Sequence, residues 1–305
     1  MKLNKGYLYV SLASILWAST AAVSKLLLAY LDNLQVLFFS TLFASISLLI
    51  ISVAQGKFAV VKTYTLKDYA IFALMGFIGV FLYRFFLQAA LLLMPAQEAF
   101  IVNYTWPIMV VIFAWIILKE KMTSKKVVGL LLSFTGVVIV TTKGDFSVLN
   151  FSIGGVFFAL AGAVVYGFYS VLGKRQTYEK FTSTTFFYIF SFLFSTIALL
   201  IFSSVPLLSL NQLGGLLWLG VFPSGLAFVF WLLALKHGDV AKISNLIFMT
   251  PFLSLIYIYF LLGEKVLLSS VVGLVVIVAG ILIQSINRKN LPPHTSPRLR
   301  RQGLA

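Results

Sequence analysis

Ten long apolar segments follow one another along this chain of 305 residues. Each runs for about 18–25 residues, enough for an α-helix to cross the ~30 Å hydrocarbon core of a bilayer. Because the runs are continuously apolar rather than alternating, they predict an all-α membrane protein and not a β-barrel. The composition agrees: 61% of the residues are hydrophobic and 10% are charged, whereas soluble proteins are about 45–50% apolar. The predicted transmembrane spans are 6–28, 34–54, 68–93, 97–118, 125–142, 152–173, 183–204, 213–235, 241–262 and 266–287.

The residue types present exclude several chemistries. The chain has no cysteine and only two histidines, so we expect no metal site built from these residues. It has no phosphate-binding loop and no close set of serine, histidine and acidic residues, so we expect no ATP-driven pump, no enzyme and no cofactor. The expected partners are the lipid bilayer and a small-molecule substrate. The sequence leaves the oligomeric state open, and a monomer is one option.

The net charge of +15 raises the question of a nucleic-acid partner, but its distribution argues against one. The basic residues lie in short loops between apolar runs, as in membrane proteins, where Lys and Arg mark the cytoplasmic side. With the N-terminus inside, 19 of the 23 Lys and Arg residues fall on the inner side and three on the outer side. The exception is Arg84, which lies within a span. We therefore expect both termini in the cytoplasm of a multi-pass protein of the cytoplasmic membrane.

The same pattern of proline, Glu-Lys and glycine residues occurs twice, 144 residues apart. The pattern Pro107, Glu120-Lys121, Gly129 and Gly136 returns as Pro251, Glu264-Lys265, Gly273 and Gly280. The first helices also match, at an offset of 149, since Lys25 corresponds to Lys174. Each half holds five spans, an odd number, so the second half enters the membrane from the opposite side. The sequence predicts two inverted repeats, 1–147 and 148–288, followed by a disordered cytosolic tail, 289–305, with a substrate site between the repeats.

The repeated residues predict how the protein is built. Pro107 and Pro251 fall in the middle of predicted spans, where proline kinks a helix, so we interpret them as hinges. The glycine pairs are seven residues apart and lie on one helix face, where small side chains let helices approach closely. Glu120 and Glu264 fall at helix ends beside lysines, and we expect them to pair locally or to cap helix ends.

The residues without a repeated counterpart predict what the protein carries. Arg84 is a cation within a span, which is costly, so it must face a cavity or a partner. Two interpretations are open and compatible: a clamp for a substrate carboxylate, or a structural ion pair with Glu98. The other candidate substrate-binding residues are polar or aromatic side chains expected to face inward, namely Trp17, Tyr83, Asn103, Tyr104, Trp106, Tyr166, Trp231 and Asn245.

These features resemble a known family. Ten spans, inverted five-helix halves and a Pro-x12-Glu-Lys-x7-Gly pattern in each half are similar to the EamA family of the drug/metabolite transporter superfamily. Residues 97–107, which read QEAFIVNYTWP, and residues 237–240, which read HGDV, resemble the bacterial aromatic-amino-acid exporters of that superfamily. The resemblance implies inner-membrane efflux of amino acids or related metabolites through a central cavity bounded by helices 1, 3, 4, 6, 8 and 9.

The expected function is therefore secondary transport, with export of amino acids, aromatic ones included, or related small metabolites by alternating access. One alternative is a transporter of drugs, nucleotide sugars or other solutes. A second is a membrane protein that does not transport, such as a channel or an enzyme of lipid-linked substrates.

Overall fold

The computed structural model of the protein describes residues 5–143, 145, 152–237 and 246–285, and these residues form helices and no strand. The helices are α1 (Lys5–Leu28), α2 (Asn33–Ala54), α3 (Leu66–Leu93), α4 (Ala96–Leu118), α5 (Ser124–Thr141), α6 (Ile153–Lys174), α7 (Lys180–Phe202), α8 (Leu210–His237), α9 (Ile247–Leu262) and α10 (Leu268–Ser285). The first eight are long and apolar enough to cross a membrane, and α9 and α10 are shorter apolar helices. The predicted all-α architecture is confirmed for the described residues. The predicted tail and residues 241–245 of the ninth predicted span lie outside them.

Local sequence explains where several helices begin. Asp32 caps α2, Thr65 caps α3 and Ser209 caps α8, each by accepting a hydrogen bond from the backbone N–H three residues later. In each case the side chain at that later position bonds back to the cap residue, which completes a capping box. A short 3-10 helix, Phe58–Thr63, lies between α2 and α3.

Large apolar side chains cover the outside of the bundle as well as its interior. Phe134, Leu200 and Phe202, for example, are exposed. Hydroxyl groups are buried between helices, as where the Oγ1 atom of Thr41 on α2 lies 3.1 Å from the Oγ atom of Ser195 on α7. Lipid tails are as apolar as leucine, so helices in a membrane associate through close packing and such interhelical hydrogen bonds.

The glycine pairs bring α5 and α10, the last helices of the two halves, into close contact. A Cβ atom on Gly136 would lie 2.6 Å from the backbone oxygen of Gly273, and one on Gly280 would lie 2.6 Å from that of Gly129. Midway between these contacts, the Oγ atom of Ser133 donates to the backbone oxygen of its repeat counterpart Ile277 at 3.3 Å. The predicted close approach is confirmed. The reciprocal pattern is that of a two-fold axis relating the halves.

Two helices contain a wide π-helical turn at matching positions. The turn in α3 spans Phe77–Leu82 and the turn in α8 spans Gly220–Leu226, which correspond at the offset of 144. In α8 the turn includes Pro223, and the hydroxyl of Ser224 donates to the backbone oxygen of Leu219 at 2.6 Å. Such turns are frequent at functional sites.

The two repeated prolines stand at breaks and not inside continuous helices. In α4, a first half-helix ends at Asn103 and a second begins at Trp106, so Pro107 occupies the first turn of the second half. In α9, Pro251 likewise occupies the first turn of Thr250–Leu262, after a 3-10 turn. The expectation of a proline in a helix interior is therefore corrected. A first-turn N–H has no partner within its helix, so proline is tolerated there.

Candidate functional site

A cavity of about 300 Å³ lies between the two halves. Helices α1, α3 and α4 of the first half and α6, α7, α8 and α9 of the second contribute to its wall. The predicted set of bounding helices is thus extended by α7, through Thr184 and Tyr188. The wide turns of α3 and α8 and the break in α4 all border this cavity, so irregular backbone occurs where it lines an internal space.

Eight of the ten predicted substrate-binding residues line the cavity; they are Trp17, Tyr83, Arg84, Asn103, Tyr104, Trp106, Tyr166 and Trp231. Their role in binding stays a prediction. The structure does not bring Glu98 to the cavity wall, and Asn245 lies outside the described residues. Two further residues of the wall, Tyr188 and Ser224, were not among the predicted ones. Tyr188 lies among other aromatic residues of its span, so the sequence does not distinguish it from them.

Aromatic rings form much of the cavity wall. The rings of Trp17 on α1 and Trp231 on α8 have centroids 6.1 Å apart. The ring of Tyr166 on α6 lies 4.6 Å from that of Tyr83 on α3 and 5.1 Å from that of Trp106 on α4. Each of these pairs joins the first half of the chain to the second. The wall therefore offers flat apolar faces contributed by both halves.

Polar groups in the wall are held by hydrogen bonds between helices. The hydroxyl of Tyr83 donates to Oδ1 of Asn103 at 3.2 Å, and Nδ2 of Asn103 donates to the backbone oxygen of Ala159 at 3.1 Å. The hydroxyl of Tyr104 donates to the backbone oxygen of Ile247 on α9 at 2.9 Å. These bonds fix the residues beside the break in α4 against α6 and α9.

Hydrogen bonds of Arg84 join the two halves of the chain near their wide turns. It lies two residues after the turn of α3, and its guanidinium donates to the hydroxyl of Ser224 in the turn of α8. The same group donates to the hydroxyl of Tyr188 at 3.3 Å and lies 5.5 Å from the centroid of that ring. These partners are all neutral.

The predicted ion pair between Arg84 and Glu98 is wrong. Glu98 is buried in the first turn of α4, and its carboxylate lies 3.4 Å from Nζ of Lys143. Arg84 stands ten residues before the α3–α4 turn, which at 1.5 Å per residue places it about 15 Å along the helix. The sequence shows that both residues belong to adjacent helices, but this axial distance separates them.

A carboxylate of the second half caps the beginning of α4. Glu264 accepts hydrogen bonds from the backbone N–H of Ala96 at 2.9 Å and from that of Gln97 at 3.3 Å. The side chain of Gln97 bonds in turn to the backbone of Lys265 and Leu267. The negative charge also stabilises the positive end of the helix dipole.

The repeat counterpart of Glu264 has different partners. The carboxylate of Glu120 lies 2.9 Å from Nζ of Lys174 and 3.4 Å from Nζ of Lys126. Its hydrogen bond with Lys174 holds the pKa of this carboxyl below its usual value. The sequence predicted that the two glutamates pair locally or cap helices; Glu120 does the first and Glu264 the second.

A helical bundle of two related halves around a polar and aromatic cavity defines a multi-pass membrane protein of the transporter class. The model of the EamA-like transporter family matches residues 4–142 and again residues 153–286. The chain is 31% identical over 303 residues to an uncharacterized transporter of Clostridium kluyveri, with 94% of this chain and 95% of the relative covered. The protein therefore belongs to the EamA-like transporter family, and its bacterial relatives place it in the cytoplasmic membrane.

Two further comparisons bear on fold and relatives. The chain is 29% identical over 181 residues to the aromatic amino acid exporter YddG of Ancylobacter novellus, covering 59% of this chain and 63% of that protein. One solved crystal structure superposes with a TM-score of 0.67 at 23% identity, covering 92% of this chain and 96% of that one. This last likeness shows the fold.

Proposed function

We propose that this transporter is a secondary exporter of amino acids, aromatic ones included, or of related small carboxylate metabolites. The observation that carries the proposal is a cavity between the halves that combines aromatic faces with one arginine. The guanidinium of Arg84 matches a carboxylate in shape and charge, and the rings suit a flat apolar side chain. Membership of the family and the likeness to an aromatic amino acid exporter support the same assignment.

The proposed topology has ten spans with both termini in the cytoplasm and halves at 1–147 and 148–288. The distribution of Lys and Arg supports it, and so does the reciprocal contact between α5 and α10, which is expected of inverted repeats. In this topology Glu264 closes the outer end of the bundle against α4, and Glu120 lies at the inner end.

Alternating access would occur around the breaks in the helices. The break in α4 and the 3-10 turn at the beginning of α9 border the cavity, and each is followed by a helix with a proline in its first turn. Proline has no N–H, so it donates no backbone hydrogen bond across the irregular turn before it, and the chain can bend there at lower cost than within a continuous helix. Pro107 and Pro251 are therefore proposed to mark the hinges, because each lies in the first helical turn after such a turn.

The size of the cavity favours small metabolites over nucleotide sugars. Ligand pockets have volumes of about 300–1,000 Å³, and this cavity, at about 300 Å³, stands at the lower end. An amino acid fits such a space better than a nucleoside diphosphate linked to a sugar.

Efflux from liposomes tests the proposed function. Purified protein is reconstituted into liposomes loaded with a labelled panel of amino acids and small carboxylates, and efflux is compared with that from protein-free liposomes. We expect faster, saturable efflux of aromatic amino acids or their relatives, and loss of that efflux in Arg84→Ala. Arg175→Ala is the matched control, because Arg175 bonds to the backbone oxygen of Ile117 away from the cavity. Efflux no faster than from empty liposomes for every compound would overturn the proposal. Repeating the assay with a pH gradient identifies proton coupling.

A further inference from the structure

We propose that the cavity selects organic monoanions with a flat apolar body, such as aromatic monocarboxylates, over zwitterionic amino acids. The inference rests on the proposed function and narrows its substrate class. Its basis is the charge balance of the cavity wall.

Within the described part of the chain, Arg84 is the one charged side chain that lines the cavity. The chain contains eight acidic residues, of which seven lie in that part and Asp239 does not. None of the seven lines the cavity; they are Asp32, Asp68, Glu98, Glu120, Asp145, Glu179 and Glu264. The described wall thus carries one positive charge and no negative charge.

The two acidic residues at the beginning of α4, one within its first turn and one capping it, have partners of their own. Glu98 pairs with Lys143, and Glu264 is held by the backbone of α4. Neither is free to neutralise a cation in the cavity. The guanidinium of Arg84 is held by the hydroxyls of Ser224 and Tyr188, which position it without neutralising it.

A monoanion and a zwitterion differ in what they do to this charge. A carboxylate bound to Arg84 forms a neutral pair in a region of low dielectric, where an unpaired charge is unfavourable. An amino acid brings the same carboxylate together with an ammonium group, for which the described wall offers no carboxylate. The faces of Trp17 and Trp231 can hold an ammonium by a cation–π contact, so we expect a finite preference for the monoanion and not complete exclusion.

The aromatic faces define the rest of the substrate. Tyr83 pairs with Tyr166, and Trp17 pairs with Trp231, and each pair joins opposite halves. A planar ring that packs against either pair contacts both halves together. A carboxylate joined to one aromatic ring by a short linker therefore fits both the charge and the shape of the cavity.

Three probes with one ring and different charges test the proposal. They are 3-phenylpropionate, a monoanion; phenylalanine, a zwitterion; and phenethylamine, a cation. Binding to the purified full-length protein is measured at neutral pH by isothermal titration calorimetry, which avoids passive membrane crossing of the weak acid. We expect 3-phenylpropionate to bind at least about tenfold more tightly than phenylalanine. The ammonium group of phenylalanine loses its water and gains no charged partner, which lowers the affinity by about that factor or more. Phenethylamine, which has no carboxylate for Arg84, should bind most weakly of the three.

Two variants assign the preference to Arg84. Arg84→Gln should lose about tenfold or more in affinity for 3-phenylpropionate, which abolishes the preference, while Arg84→Lys keeps the charge and part of the preference. Arg175→Gln, which lies outside the cavity, should behave as the unchanged protein.

The outcomes separate this inference from the proposed function. If phenylalanine binds as tightly as 3-phenylpropionate or more tightly, the preference for monoanions is refuted while amino-acid export stands. If neither carboxylate binds and none of the panel is transported, both are refuted. The probe comparison on the unchanged protein decides the question even where Arg84→Gln fails to fold.

Discussion

The carboxylate of Glu264 joins the second half of the chain to the first turn of α4, and its removal should destabilise the protein measurably. It accepts from two backbone N–H groups, those of Ala96 and Gln97, which belong to residues that are 0% and 4% exposed. Glu264→Ala leaves both donors without their partner. Each buried unpaired donor costs about 1–3 kcal/mol, and local rearrangement recovers part of this, so we expect a loss of about 2–4 kcal/mol in the free energy of unfolding.

The repeat supplies a matched control for this prediction. Glu120 occupies the equivalent position, but its side chain is 34% exposed and pairs with two lysines. Exposed ion pairs contribute about 0–1 kcal/mol, so Glu120→Ala should cost less than about 1 kcal/mol. Glu264→Gln keeps one acceptor and loses the charge, so its cost should fall between the two.

The assay is unfolding of the purified protein in detergent, followed by tryptophan fluorescence during titration with a denaturing detergent. Glu264→Ala should unfold at a lower denaturant fraction than the unchanged protein, and Glu120→Ala close to it. Equal destabilisation by the two alanine variants, or a cost below about 1 kcal/mol for Glu264→Ala, would show that the cap does not hold the halves together as described.

Three further outcomes are expected. Gly273→Ala should destabilise the protein by about 1–3 kcal/mol, because the new Cβ atom would lie 2.7 Å from a backbone oxygen of α5. Gly214→Ala is the control, because no atom lies within 4 Å of its new Cβ atom. Equal effects of the two variants in unfolding assays would contradict the described packing of α5 against α10. Pro107→Ala should change stability by less than about 1 kcal/mol, because the first helical turn needs no N–H partner; a large loss would indicate a constrained interior position. The lowered pKa of Glu120 predicts a stability difference between the protein and Glu120→Gln that is present at neutral pH. This stability difference should disappear as the pH falls below the usual glutamate pKa and through the lowered pKa of Glu120. A stability difference that grew toward acid pH would show that the pKa of Glu120 is raised and not lowered.

Much of the architecture could be predicted from the sequence because it depends on local properties. The apolar runs predicted the membrane helices, and the described helices occupy those segments apart from small shifts at their ends. The glycine spacing predicted close packing between helices, which α5 and α10 show. The two prolines were correctly associated with irregular helix geometry but were interpreted as kinks inside continuous helices. The spacing of the residues does not reveal that a turn at Tyr104 and Thr105 ends the preceding half-helix before Pro107.

The candidate site was less predictable because its contacts join distant parts of the chain. Aromatic and polar residues near a helix break were good candidates for the cavity wall, and eight of ten line it. The partners of Arg84 were not found, since Tyr188 and Ser224 lie 104 and 140 residues away along the chain. Glu98 was the nearest acidic residue after Arg84 in sequence, yet Lys143 is its partner.

The sequence by itself determined that this is a membrane protein with two related halves. The length and apolarity of each segment place it in the lipid bilayer, and the residues that recur at a fixed offset show the duplication. Only the tertiary structure decided which side chains face the cavity, that Arg84 meets neutral partners and that Glu264 caps a helix of the other half. A helix forms from bonds within its own segment, whereas these features depend on how the helices are rotated and shifted against one another, which packing across the whole bundle sets.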